Sequence, residues 1–131
     1  MAAEFQASGY SILITDDDST FRRSISGLFE PHGFATLEAS CGEEAIEIVQ
    51  DREVHLVLLD MYMPTLTGLE TLRLVKQIKA FLPCIIMTAQ ADDQLIREAL
   101  AARAFSVLSK PLSKPLVIHT VVRALRRAYQ D

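Results

Sequence analysis

The sequence predicts an α/β fold, a doubly wound five-stranded parallel sheet with helices on both faces. Three observations predict it. Short, largely apolar runs recur five times, at 11–15, 34–38, 55–60, 84–88 and 105–109. Each is followed by a stretch whose apolar residues repeat at helical spacing. The alternation is strict and leaves nothing over for a second domain, so the strands lie parallel and are joined by right-handed crossovers. Alternation alone leaves the strand order open.

Ser11-Ile12-Leu13-Ile14-Thr15 is the first strand and ends on Asp16-Asp17-Asp18. Ser19 is placed to cap the first helix, whose Phe21, Ile25, Leu28 and Phe29 share one face. Pro31-His32-Gly33 stops that helix, and Phe34 to Glu38 forms a brief second strand. Ser40 with Glu43 has the pattern of a capping box, opening a helix with Ala45, Ile46 and Val49 inward. The third strand, His55 to Asp60, is Leu- and Val-rich without polar interruption before its terminal carboxylate, the mark of a strand covered on both faces. Met63-Pro64 and Gly68 then carry the chain through a loop to a helix capped by Thr67 with Glu70, burying Leu69, Leu72, Val75 and Ile78 and ending before Pro83.

Cys84-Ile85-Ile86-Met87-Thr88 is a further buried strand that ends on a hydroxyl. Residues 91–102 form a helix with Leu95 and Ala99 on one face, and Asp92 and Asp93 sit near its positive end. Phe105 to Ser109 is the last strand and delivers Lys110-Pro111. Ser113 caps the final helix, with Val117, Val121, Leu125 and Ala128 in one stripe and Arg123, Arg126 and Arg127 toward its end.

Composition bounds the function. The chain has 131 residues, 50% hydrophobic and 23% charged, enough for one domain, 10–129, with a real core. Residues 1–9 read as a short disordered leader or expression remnant, without the basic start of a signal peptide. Every apolar run is strand-length, so no membrane span is expected. A net charge of −4 argues against a nucleic-acid surface. Arg123, Arg126 and Arg127 read as a solvated helix end. Cys41 and Cys84 lack metal-ligand spacing and fit reduced thiols in a cytoplasm, and His32, His55 and His119 are scattered singly.

The strand ends carry the chemistry. In a parallel sheet the carboxyl ends share one edge, where open α/β sheets bind ligands. That edge collects Asp16 and Asp17 from the first strand, Asp60 from the third, Thr88 from the fourth and Lys110 from the fifth. Taken singly, the Asp run is a turn, Thr88 an ordinary strand end and Lys110 a solvated side chain; Asp18 is explained by the helix start. Their joint placement points to a site. Three clustered carboxylates repel, and one Lys leaves two negative charges that a divalent cation would neutralise. Carboxylates are hard ligands suited to Mg²⁺, which keeps coordination free for phosphate oxygens. Asp60 is then the nucleophile for a phosphoryl group, with Lys110 and Thr88 around the charge that develops.

On these residues the chain resembles a response-regulator receiver domain of two-component signalling, most closely the chemotaxis type. Residues 12–23, with Asp16-Asp17-Asp18, are similar to the family's opening acidic motif; Leu58-Leu59-Asp60-Met61-Tyr62-Met63-Pro64 with Gly68 is similar to its phosphoacceptor motif; Thr88-Ala89 and Lys110-Pro111 match the other two. The resemblance covers about residues 10–129. It implies a flavodoxin-like (βα)5 sheet in the order 2-1-3-4-5, an order for which a chemotaxis member of the family is itself a standard example. It also implies phosphorylation of Asp60, Mg²⁺ held by Asp17 directly, Asp16 largely through water, Asp60 and the Met61 carbonyl, and phosphoryl contacts from Thr88 and Lys110. A cis Lys110–Pro111 bond is implied as well, and Tyr62 occupies the place that tunes dephosphorylation. The implied partners are a sensor histidine kinase or histidine phosphotransfer protein, with no membrane.

Two departures stand out. The family's Tyr or Phe three residues before the Lys is Val107 here, and Arg103 stands where a Gly is common. Val107 favours one competing function, a receiver-fold binding module that signals without phosphate. A flavin- or nucleotide-using enzyme on the same architecture would need a Gly-rich loop after the first strand, where acids stand instead.

Overall fold

The computed structural model describes residues 5–130. Five strands alternate with five helices: β1 (Ser11–Thr15), α1 (Ser19–Phe29), β2 (Ala35–Ala39), α2 (Gly42–Asp51), β3 (Leu56–Asp60), α3 (Gly68–Ile78), β4 (Cys84–Thr88), α4 (Asp93–Ala101), β5 (Ser106–Ser109) and α5 (Lys114–Tyr129). A 3-10 turn at Glu30–His32 follows α1. All strands pair in parallel, in the order β2-β1-β3-β4-β5. The predicted fold class and strand order are thus the observed ones.

The strand period of two sorts the core into two layers. Ile12, Ile14, Leu56, Leu58, Ile85 and Met87 pack with Ile25 and Phe29 of α1 and Val117, Val121 and Leu125 of α5. Leu13, Val57, Leu59, Cys84 and Ile86 face the other way, onto Ala45, Val49, Leu72, Val75 and Ala99 of α2, α3 and α4. β3 and β4 are buried at every position, as continuous apolar runs require.

Local chemistry shifts several boundaries. The α1 cap is Asp18, whose Oδ1 accepts from the Thr20 and Phe21 N–H groups, so Ser19 is already helical. Ser40 and Glu43 form no capping box: Cys41 holds the cap position of α2 without a side-chain bond, and the Ser40 N–H donates to Glu44 Oε1 at 2.7 Å. The box at Thr67 and Glu70 forms as predicted, with both reciprocal bonds made. β2 begins and ends one residue later than expected, and α4 is shorter because Asp92 caps it through the Leu95 N–H. Ile78 lies 39% exposed near the end of α3, and on α5 the buried position is Ala124 rather than Ala128. Of the segment read as a disordered leader, residues 1–4 lie outside the described residues, while Ala7 is buried and Phe5 stacks on Tyr10 and Phe34.

Candidate functional site

The acidic edge assembles because each strand keeps its pleat parity to its end. Asp16 follows Ile12 and Ile14, Asp60 follows Leu56 and Leu58, and Lys110 follows Leu108, so all three continue the α1–α5 side of the sheet. Asp16 and Asp60 are buried, Asp60 to 6% exposure. One carboxylate oxygen from each of Asp16, Asp17 and Asp60 lies within 4.8 Å of the others. Lys110 Nζ bridges two of them, 2.9 Å from Asp16 Oδ2 and 3.0 Å from Asp60 Oδ1. The same ammonium sits 4.1 Å from the centre of the Phe21 ring, which screens it from one side.

Electrostatics follow from this packing. Burial holds the Asp60 carboxyl above its ordinary pKa; the Lys110 hydrogen bond opposes that, while repulsion from Asp16 and Asp17 reinforces it. Burial works against the charge on Lys110, but its hydrogen bonds to Asp16 and Asp60 outweigh that and raise its pKa. Three acids against one base leave the cluster short of positive charge. The donor set fits a hard divalent cation: three clustered carboxylates, only one of them exposed. The carbonyl of Met61, the residue after Asp60, accepts the Gly68 N–H at 2.9 Å and keeps a second lone pair.

Gly68 is where the close approach of the loop demands glycine. A Cβ there would collide with the Asp60 carbonyl oxygen and stand 3.0 Å from both the Asp60 carbonyl carbon and Met61 Cα. Thr88 stands apart. It follows the opposite parity, with Cys84 and Ile86, and its hydroxyl oxygen accepts the Gln90 N–H at 3.1 Å without bonding to Asp60 or Lys110. Lys110 is carried on a cis peptide bond to Pro111, and its N–H donates to the Thr88 carbonyl, tying the two loops together.

A family model, Response regulator receiver domain, matches residues 12–122 of this chain. The chain belongs to that family. Among curated relatives, Sporulation initiation phosphotransferase F of Bacillus subtilis is 36% identical over 100 residues, covering 76% of this chain and 81% of that protein. A response regulator receiver domain from Clostridium thermocellum superposes with a TM-score of 0.85 at 32% identity, covering 90% of this chain and 95% of that one. The CheX–CheY–BeF3–Mg complex of Borrelia burgdorferi gives 0.84 at 25% identity, with 88% and 89% covered. The chain spans 54% and 25% of two longer regulators that it also matches.

The candidate site includes residues to which the sequence assigned no part in it. Phe21 was visible as an apolar helix position, yet the first turn of α1 starts from the acidic loop, which puts its ring over Lys110. Arg22 Nη1 donates to the Asp16 carbonyl at 2.7 Å while its Nε pairs with Glu38 at 2.9 Å, bracing the acidic loop against β2. Val107 packs against the α2–α4 layer, so no aromatic ring occupies that position of β5. Among the described residues no helix is long and apolar enough to cross a membrane.

Proposed function

We propose that this receiver is a phosphorylation-dependent switch of the cytoplasm, with Asp60 as the phosphoacceptor. A histidine kinase or histidine phosphotransfer protein supplies the group. The Asp60 carboxylate oxygen attacks phosphorus, the phosphorus–nitrogen bond to the donor imidazole breaks, and the electron pair returns to that nitrogen. The observation that carries this reading is the ammonium of Lys110 held between Asp16 and Asp60. It keeps the nucleophile oriented in a pocket where burial otherwise favours the protonated, unreactive form.

Asp16, Asp17, Asp60 and the Met61 carbonyl would hold Mg²⁺, which when bound offsets the clustered negative charge and that of the phosphoryl oxygens. Lys110 Nζ, already 3.0 Å from Asp60, contributes a donor to the transferred group. Thr88 is the moving part: its hydroxyl proton is free to turn toward a phosphoryl oxygen on Asp60, drawing the β4–α4 loop with it. Tyr62, exposed two residues beyond the acceptor, screens water from the product. Labelling with acetyl phosphate tests the reading. Wild type incorporates phosphate in a Mg²⁺-dependent manner and binds beryllofluoride; Asp60→Asn does neither, and unchanged incorporation in that variant sinks the assignment.

Val107 supports a second reading, a binding module of this fold that does not respond to phosphate. Beryllofluoride would then leave the two-dimensional NMR spectrum of the face built from α4, β5 and α5 unmoved.

A further inference from the structure

At the edge of the sheet opposite the acceptor lies an open-mouthed cleft of about 720 Å³, between the ends of α3 and α5 and the starts of β4 and β5. Its charged lining is wholly cationic: Lys76, Arg103, Arg123 and Arg127. The protein as a whole carries a net charge of −4, so this concentration is local. Among the described residues no carboxylate pairs with any of the four within 4 Å. Lys76 and Arg127 have an ordinary structural explanation, because cations in the last turn of a helix oppose its dipole. Arg123 packs on Phe105, and Arg103 has neither explanation.

Arg103 adopts a φ of +71°, a left-handed conformation that glycine takes freely and side chains resist. The chain bears that strain and thereby keeps a guanidinium at the cleft. The Arg123 guanidinium lies over the Phe105 ring, 5.5 Å from its centre, within cation–π reach. Lys76, 8% exposed, also lines the cleft, with its Nζ donating to the Leu82 carbonyl at 2.7 Å.

The rest of the lining is apolar. Ala80, Ala104, Ala124 and Ala128 line the cleft, and Phe81, at 91% exposure, stands at its rim. The volume is that of a small-molecule site. A ligand matching it needs two or more negative charges for planar guanidinium forks, which suit phosphate oxygens, together with a flat apolar body for the aromatic and alanine walls. We propose that this cleft binds an organic phosphate of the nucleotide class. It is separate from the phosphoacceptor, since it sits at the amino ends of β4 and β5 rather than their carboxyl ends.

The test is calorimetric titration of the whole chain with ATP, GTP and pyrophosphate, in EDTA so that the acidic site recruits no metal-bound nucleotide. Saturable binding is expected, with at least one nucleotide about tenfold tighter than pyrophosphate because only it contacts Phe81 and the alanines. Arg103→Gly relieves the backbone strain, so it folds, and is expected to weaken the nucleotide about tenfold. The amide signals of Ala104 and Ala124 should shift on binding, with beryllofluoride uptake at Asp60 unchanged in the variant. Absence of saturable binding, equal affinity for pyrophosphate and nucleotides, or an undiminished Arg103→Gly overturns the proposal. So does binding of polyglutamate in place of nucleotides, which would make the cleft a docking surface for an acidic protein.

Discussion

Replacing Gly68 by Ala separates what the acceptor loop requires from what a helix prefers. Gly68 is the first residue of α3, and its φ is not one that excludes a side chain. By intrinsic propensity alone the change would help, since Ala favours a helix over Gly by up to ~1 kcal/mol. The added methyl, however, meets the Asp60 carbonyl oxygen and carbon and Met61 Cα, all backbone, so no flexible side chain can yield. Overpacking of this kind costs typically ~1–3 kcal/mol, and relief would require moving the acceptor's own peptide group. The Gly68 N–H bond to the Met61 carbonyl would lengthen as well, disturbing an oxygen that is a candidate ligand. Gly27, exposed in the middle of α1 with nothing within 4 Å of its would-be Cβ, is the control. In urea titrations Gly27→Ala should gain ~0.5–1 kcal/mol. Gly68→Ala should lose ~1–3 kcal/mol, roughly 3–10 °C in Tm, and bind Mg²⁺ more weakly. If Gly68→Ala matched Gly27→Ala in stability, the loop would have slack and the argument for a tightly held acceptor would fail.

Two further outcomes follow from the charges. Lys110→Met leaves Asp16 and Asp60 facing each other without their common partner; it should lower stability in EDTA by ~2–4 kcal/mol, recover part of it on adding Mg²⁺, and slow acetyl phosphate labelling. Unchanged urea midpoints in EDTA would show that the bridge contributes nothing. On the far side of the molecule, burial pushes the Cys84 thiol from 9.0 up to about 12, and partial burial pushes Tyr129, still 42% exposed, from 10.0 up to about 12. Both groups keep their protons longer when folded, so the stability they contribute is full below pH 9 and is lost as the pH climbs toward 12. Burial lowers the pKa of Lys76, which acts in the opposite sense below its ordinary 10.5. Between pH 8 and 11 the wild type should therefore lose about 3 kcal/mol more than Cys84→Ala, and parallel curves would refute the assignment of that loss to the thiol.

Residue types with positional meaning made the architecture readable. Continuous Leu, Val and Ile runs marked β3 and β4, and the carboxylates closing β1 and β3 could lie nowhere but at the ligand edge of a parallel sheet. The box at Thr67 and Glu70 was legible because its two partners are local. The Ser40 and Glu43 pattern failed for the same local reason: Glu44, one residue on, reaches the Ser40 N–H better, and nothing in the sequence ranks the two glutamates. Asp18 displaced Ser19 as cap because an ionised oxygen can accept two amide protons at once. Long-range consequences were out of reach. That Phe21 lies over Lys110 depends on how α1 sits against β5, and the cationic cleft gathers residues from α3, α5 and the loops before β4 and β5, no two of which form a motif.

Parity explains why the site both forms and can respond. Asp16, Asp60 and Lys110 extend one face of the sheet, so the apolar packing of β1, β3 and β5 against α1 and α5 fixes their spacing before any ligand arrives. Thr88 extends the other face, and its hydroxyl oxygen accepts the Gln90 N–H. A phosphoryl group on Asp60 would add negative charge beside Lys110, which is already shared between two carboxylates. On the proposed reading the Thr88 hydroxyl is drawn to that charge, and reaching across the pleat obliges its loop to move. With Val107 in place of a ring on β5, such a displacement would have no aromatic side chain to reorient there, and the backbone link between the Lys110 N–H and the Thr88 carbonyl is the contact that joins the two loops.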